Sequence, residues 1–196
     1  MLYNPKLNTI LWTPYKNWST SLAKYFDVPE PYPSNPQVKP LKTTDWEFYM
    51  SNNPPSSLYH IGATRHSVIY PLEDRSWSTF KRILVLRHPY DRVLSMWKFH
   101  AGHPQWSGET FDYYLRNIFM FHPYTYPACR TFRGHYDEVI KVESINEDLE
   151  KHGLLCDKPF PHVNRSSPND YVLTRKDKLI IQNFHHEDFN AGGYEI

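Results

Sequence analysis

Glycine is scarce in this chain. There are 7 in 196 residues, and the first is Gly62. No glycine-rich Walker A loop can precede it, which argues against an ordinary P-loop NTPase. Cysteine is scarcer still, with only Cys129 and Cys156. One disulfide is chemically possible, but two free thiols are the expected state. No run approaches about 18 consecutive apolar residues, so no membrane-spanning helix is expected. The segment from Met1 to Ile10 lacks the apolar run of a secretion signal, and the expected location is cytoplasmic. Charge of one sign is not in excess: 22 basic and 21 acidic residues leave a net charge of +1. A dedicated duplex-binding protein carries a basic surplus, so nucleic acid is not an expected partner, although a local basic cleft is compatible with this balance.

What is abundant is aromatic. Phe, Trp and Tyr make up 16% of the residues, and the hydrophobic content of 40% is ordinary for a globular protein. A chain of this length buries roughly 70% of its unfolded surface on folding, enough for a real core. The 17 prolines outnumber the glycines and point to long ordered loops, not flexible linkers. We read residues 1–196 as one domain with a Pro-rich loop insertion at about 27–57.

Asn8 to Thr13 reads as a first buried strand, and Ser19 to Phe26 as a helix with hydroxyl residues where N-caps belong. A short helix is expected near Asp45 to Ser51 inside the Pro-rich stretch, and a second strand at Ser57 to Gly62. Arg82 to Leu86 is a continuous apolar run, as in a parallel strand buried on both faces. Helices follow at Tyr90 to His100 and Thr110 to Phe119, then a strand at Glu138 to Val142. Further helices are expected at Ile145 to His152 and Arg175 to Phe184. Strand and helix alternate, so the expected class is α/β with a parallel sheet.

Two strand-to-helix junctions carry chemistry. The first is Lys16-Asn17-Trp18-Ser19-Thr20-Ser21. A loop entering a helix exposes unpaired backbone N–H groups at the positive end of the helix dipole. Lys16 adds a charge there and Ser19, Thr20 and Ser21 add hydroxyls, although Ser19 and Thr20 equally suit plain helix caps. The second junction is Arg87-His88-Pro89-Tyr90-Asp91-Arg92, with Ser95 further along the helix. Arg87 stands at the carboxyl end of a buried strand, where open α/β sheets place ligands. A guanidinium fork and a hydroxyl suit a phosphate. Arg92 reads instead as the partner in a surface ion pair with Asp91 or a neighbour.

These segments resemble the two nucleotide-binding motifs of sulfotransferases that use 3′-phosphoadenosine 5′-phosphosulfate (PAPS). Lys16 to Leu22 is similar to the 5′-phosphosulfate loop. Arg87 to Ser95 is similar to the 3′-phosphate motif, including the separation of eight between Arg and Ser. Glu138 to Leu149, His162 to Ser166 and Asp188 to Tyr194 resemble segments of the carbohydrate branch. Two departures stand out: Tyr15 intervenes between Pro14 and Lys16, and Trp18 is large where a small residue is usual. The resemblance implies a P-loop-like three-layer fold with a central parallel sheet flanked by helices. It implies PAPS as cofactor, its product 3′-phosphoadenosine 5′-phosphate (PAP), and no metal. Lys16 to Ser21 would hold the 5′ side, and Arg87 and Ser95 the 3′-phosphate. Asn164, Arg165, Ser166 and Ser167 would close over the nucleotide. The implied acceptor is a hydroxyl, of a saccharide by association with the family.

Transfer of this kind needs a base, and histidine suits neutral pH. His66 is the first candidate, spaced from Arg87 as in enzymes similar to heparan 2-O-sulfotransferase, and His60 is the second. Glu143 reads as structural. The run His185 to Asp188 lacks chelating geometry, because adjacent side chains diverge, and reads as a solvated helix end. His100 and His103 read as surface or acceptor-site residues. Trp46, Trp97 and Trp106 suit either a sugar-stacking cleft or core packing. Two other classes stay open: a P-loop kinase-like nucleotide-binding enzyme, and a non-catalytic PAP- or glycan-binding module.

Overall fold

The computed structural model describes residues 2–4, 7–14, 19–26, 47–48, 79–102, 108–119, 125–132, 136–161 and 171–196, with only the backbone of 2–4, 19, 20, 23, 47, 48 and 118. In chain order the elements are β1 (Leu2–Asn4), β2 (Thr9–Trp12), α1 (Ser19–Tyr25), β3 (Glu47–Phe48) and β4 (Lys81–Leu86). They continue with α2 (Pro89–Ala101), α3 (Phe111–Tyr114), α4 (Ala128–Thr131), β5 (Glu138–Lys141), α5 (Ile145–Lys151) and α6 (Arg175–Gly192). The strands form one sheet in the order β3-β1-β2-β4-β5. β2, β4 and β5 are parallel, while β1 pairs antiparallel with both β2 and β3. The fold is α/β.

Strand alternation explains how both faces of the parallel sheet become buried. Leu11, Ile83, Val85 and Ile140 point to one face, where α1 brings Leu22 and Tyr25 and α5 brings Ile145 and Leu149. Ile10, Trp12, Leu84 and Leu86 point to the other, against Ala128, Cys129 and Phe132. A third core cluster joins Val93 and Met96 of α2 to Phe111, Tyr114, Ile181 and Phe189. Helix α2 starts with Pro89 in its first turn, where a missing N–H costs nothing, and the His88 side chain caps it.

Four expectations change. Glu47–Phe48, inside the segment expected to be helical, pairs as a strand with Leu2 and Tyr3 of β1. The expected helix from Thr110 to Phe119 begins with Thr110 as its cap but passes into a π-helical turn at Leu115–Phe119. A short helix, α4, forms where none was expected. The last helix runs to Gly192 rather than Phe184, with a kink at His185. Its buried residues include Ile181, His185, Asp188, Phe189 and Gly192. That stripe has helical spacing, and its polar members disguised the period. The expected strand at Ser57 to Gly62 lies outside the described residues.

Candidate functional site

Because β2, β4 and β5 run parallel, their carboxyl ends share one edge of the sheet. Trp12 of β2 pairs with Leu84, and Leu86 of β4 pairs with Lys141. The chain therefore leaves that edge at three neighbouring points: 13–14 after β2, Arg87 and His88 after β4, and 142–144 after β5. Strand β4 is the middle one, so Arg87 and His88 leave the sheet between the other two exits.

After β2, Thr13 is half-buried and its Oγ1 has no hydrogen-bond partner among the described residues. Lys16, Asn17 and Trp18 lie outside the described residues. Ser19 and Thr20 supply the backbone of the first turn of α1, and Ser21 is buried in that turn.

After β4, Arg87 is half-buried and makes no hydrogen bond or ion pair among the described residues. Burial lowers its pKa, while the charges of Asp91 and Glu143 oppose the shift. Ser95, on α2, is also half-buried, and its hydroxyl is likewise unpartnered among the described residues. His88 Nδ1 accepts from the Tyr90 amide at 3.3 Å, so a neutral His88 ring carries its proton on Nε2. The ring packs between Tyr194 at 4.8 Å, Tyr90 at 5.1 Å and Phe189 at 5.6 Å, centroid to centroid.

After β5, Glu143 reaches back. Its Oε1 accepts from the His88 amide at 2.7 Å and its Oε2 accepts from the Tyr194 hydroxyl at 2.8 Å. The structural role expected for Glu143 thus has partners, and Tyr194 joins the site. In the sequence Tyr194 was part of a resembling segment only, with no role of its own.

Arg92 is not on the surface. It is 2% exposed, and its Nη1 lies 3.3 Å from Asp188 Oδ2. Nη1 and Nη2 each donate to the Tyr126 carbonyl at 3.1 Å. Nor is His185 to Asp188 a solvated end: His185 and Asp188 are both buried. Asp188 also accepts from the Ala128 amide at 2.9 Å, the Cys129 amide at 2.8 Å and His185 Nδ1 at 3.0 Å. It therefore caps α4 and joins α2, α4 and α6. Burial alone would raise the Asp188 carboxyl. The His185 hydrogen bond, the Arg92 charge and the Cys129 amide outweigh it and hold the carboxyl down at about 2. A charge pair reads as surface-bound from sequence because only tertiary packing supplies the helix that covers it.

The base candidates His60 and His66 and the closing residues Asn164, Arg165, Ser166 and Ser167 lie outside the described residues, as do His103, Trp46 and Trp106. His100 is buried in the last turn of α2 and is not a surface residue. Trp97 packs against Phe111 and Tyr171, with centroids 5.2 Å and 5.6 Å away, so it belongs to the core. Both cysteines are free thiols. Among the described residues no cluster of three His, Cys, Asp or Glu could hold a metal, and no helix is long and apolar enough to cross a membrane. No family model, curated protein or solved structure matches the chain.

Proposed function

We propose that this protein is a PAPS-dependent sulfotransferase with a P-loop-like fold, acting on a hydroxyl of a saccharide. The observation that carries the reading is the pairing of β2 with β4. The two segments that resemble phosphate motifs follow neighbouring parallel strands and leave the same edge of the sheet. The second of them presents Arg87 and Ser95 with no partner among the described residues. A half-buried guanidinium loses hydration that an oxyanion would replace, which suits the 3′-phosphate of a nucleotide.

PAPS supplies the sulfuryl group together with its phosphate leaving group. In this reading Arg87 and Ser95 bind the 3′-phosphate and fix the register of the nucleotide. Lys16, the amides of Asn17 and Trp18 and the amides and hydroxyls of Ser19, Thr20 and Ser21 would hold the 5′ side, where positive charge and donors suit the phosphate leaving group that PAPS supplies. Asn164, Arg165, Ser166 and Ser167, by the same resemblance, would lie over the nucleotide. His66 takes the acceptor proton, with His60 as the alternative base, and in-line placement supplies much of the rate.

Calorimetric titration with PAP, 5′-AMP and ATP tests this. Tight PAP binding with a large loss for 5′-AMP is expected. A preference for ATP would overturn the reading in favour of a kinase-like enzyme. PAP binding without transfer from PAPS to any saccharide hydroxyl would leave a non-catalytic nucleotide-binding module.

A further inference from the structure

Glu143 lies beside Arg87 and yet is not bonded to it. Leu86 pairs with Lys141 across the parallel ladder, and the Val142 amide donates to the Leu86 carbonyl at 2.8 Å, which brings residue 143 alongside 87 and 88. The charges of Asp91 and Glu143 both act on the Arg87 guanidinium, Asp91 the more strongly, and neither carboxylate is bonded to it. Both carboxylate oxygens of Glu143 are engaged elsewhere, by the His88 amide at 2.7 Å and the Tyr194 hydroxyl at 2.8 Å.

Tyr194 reaches Glu143 by a turn that two glycines permit. Gly193 closes α6 in the left-handed conformation, with φ 59° and ψ 35°, and the Tyr194 amide returns to the Phe189 carbonyl at 3.0 Å. A Cβ on Gly192 would stand 2.2 Å from the Tyr194 ring, so only glycine allows the ring to fold back over the helix end. The ring then packs on His88 at 4.8 Å, and Lys141 Nζ lies 5.9 Å from its centroid. Burial and the Glu143 charge raise the pKa of the phenol, so it stays a donor at any working pH.

We infer that Tyr194 and Glu143 are positioning residues of an anion site, in which the Tyr194 hydroxyl holds the Glu143 carboxylate off Arg87 and leaves the guanidinium open to an oxyanion. The inference rests on the functional reading above only for the identity of that anion, a nucleotide 3′-phosphate. Without the hydroxyl, Glu143 Oε2 is released, and Arg87, which has no ion pair among the described residues and already lies within reach of the Glu143 charge, can pair with it in competition with the ligand.

The test is a double-mutant cycle. Tyr194→Phe should weaken anion binding about five-fold, the scale of one competing half-exposed ion pair. Glu143→Gln in the same chain should restore it. A purely structural role would show in the urea midpoints of these variants and leave the anion affinity of the folded chain unmoved. Gly192→Ala keeps the hydroxyl but displaces the ring, and it should show the same loss and the same rescue. Glu143→Gln alone should bind at least as tightly as the parent chain, which tests the inference even if the tail variants fold poorly.

Inorganic phosphate, followed through the Arg87 Nε–H resonance by NMR, is the first probe, and PAP by calorimetry is the second. Phosphate that leaves the Arg87 resonance unmoved in the parent chain overturns the inference. So does a Tyr194→Phe loss that Glu143→Gln fails to restore. Phosphate binding with intact rescue but no PAP binding supports the clamp and sinks the sulfotransferase reading instead.

Discussion

Replacing Asp188 with asparagine keeps the shape of the side chain and removes its charge, at a place where neither is spare. Asp188 and Arg92 are 1% and 2% exposed. Oδ1 faces the Cys129 amide, and Oδ2 faces the Ala128 amide, His185 Nδ1 and Arg92 Nη1. Whichever way an amide is turned, its NH2 meets at least one N–H donor. Arg92 keeps the Tyr126 carbonyl but loses its counter-charge. Removing one member of a buried pair costs about 3–5 kcal/mol, because the other is left buried and uncompensated. At roughly 2–4 °C per kcal/mol for a chain of this size, Tm should fall by about 6–20 °C. Urea unfolding followed by tryptophan fluorescence should show a lower midpoint at unchanged m. Adding Arg92→Met removes the stranded charge, so the double variant should be more stable than Asp188→Asn alone. A cost under about 1 kcal/mol for Asp188→Asn, or strict additivity with Arg92→Met, would refute the view that the pair is a buried, coupled anchor.

Stability should fall as pH drops through about 6.5, the unfolded histidine value. Burial lowers His185 and His152 in the folded chain, so the unfolded chain takes up protons that the folded one refuses. Urea unfolding at stepped pH should show this, and His185→Gln should flatten the slope; an unchanged slope would exclude His185 as a source. Asp188 has the depressed value of about 2, so its contribution is complete above the unfolded value of about 3.9 and is lost only as pH falls through about 2. The Cys129 thiol is pushed up to about 12, first by burial and then by the Asp188 charge. It should resist thiol reagents at pH 8 until the chain unfolds, and a fast native reaction that disappears in Cys129→Ala would contradict its placement. Arg87→Ala should weaken PAP binding at least about ten-fold while barely changing 5′-AMP binding, as expected for loss of a charge-assisted hydrogen bond. His66→Ala should spare PAP binding and abolish transfer, and retained transfer would move the base to His60 or elsewhere.

The parallel strands were legible because their signal is local. The apolar run in β4 and the hydroxyl cluster opening α1 each span only a few consecutive residues. The arginine after β4 was legible for the same reason, since a charge that directly follows a buried strand stands out. The extension of α6 was not, because His185 and Asp188 interrupt its apolar stripe, and what buries them is far away in sequence: Phe119 beside His185, and Arg92, Ala128 and Cys129 around Asp188. Glu47–Phe48 was misread because helical spacing over a few residues carries little weight against an available strand partner, here β1.

By itself, then, the sequence determined the alternation of strands and helices, the α/β class and the position of Arg87 at a strand end. These depend on periodicity and on junctions a few residues long. Only the tertiary structure decided which charges are compensated. Arg87 and Arg92 flank the same helix start, yet Arg92 is buried against Asp188 of α6 and Arg87 is left without a partner among the described residues. That difference arises because desolvation and Coulomb attraction act through space, between groups that the chain brings together only on folding.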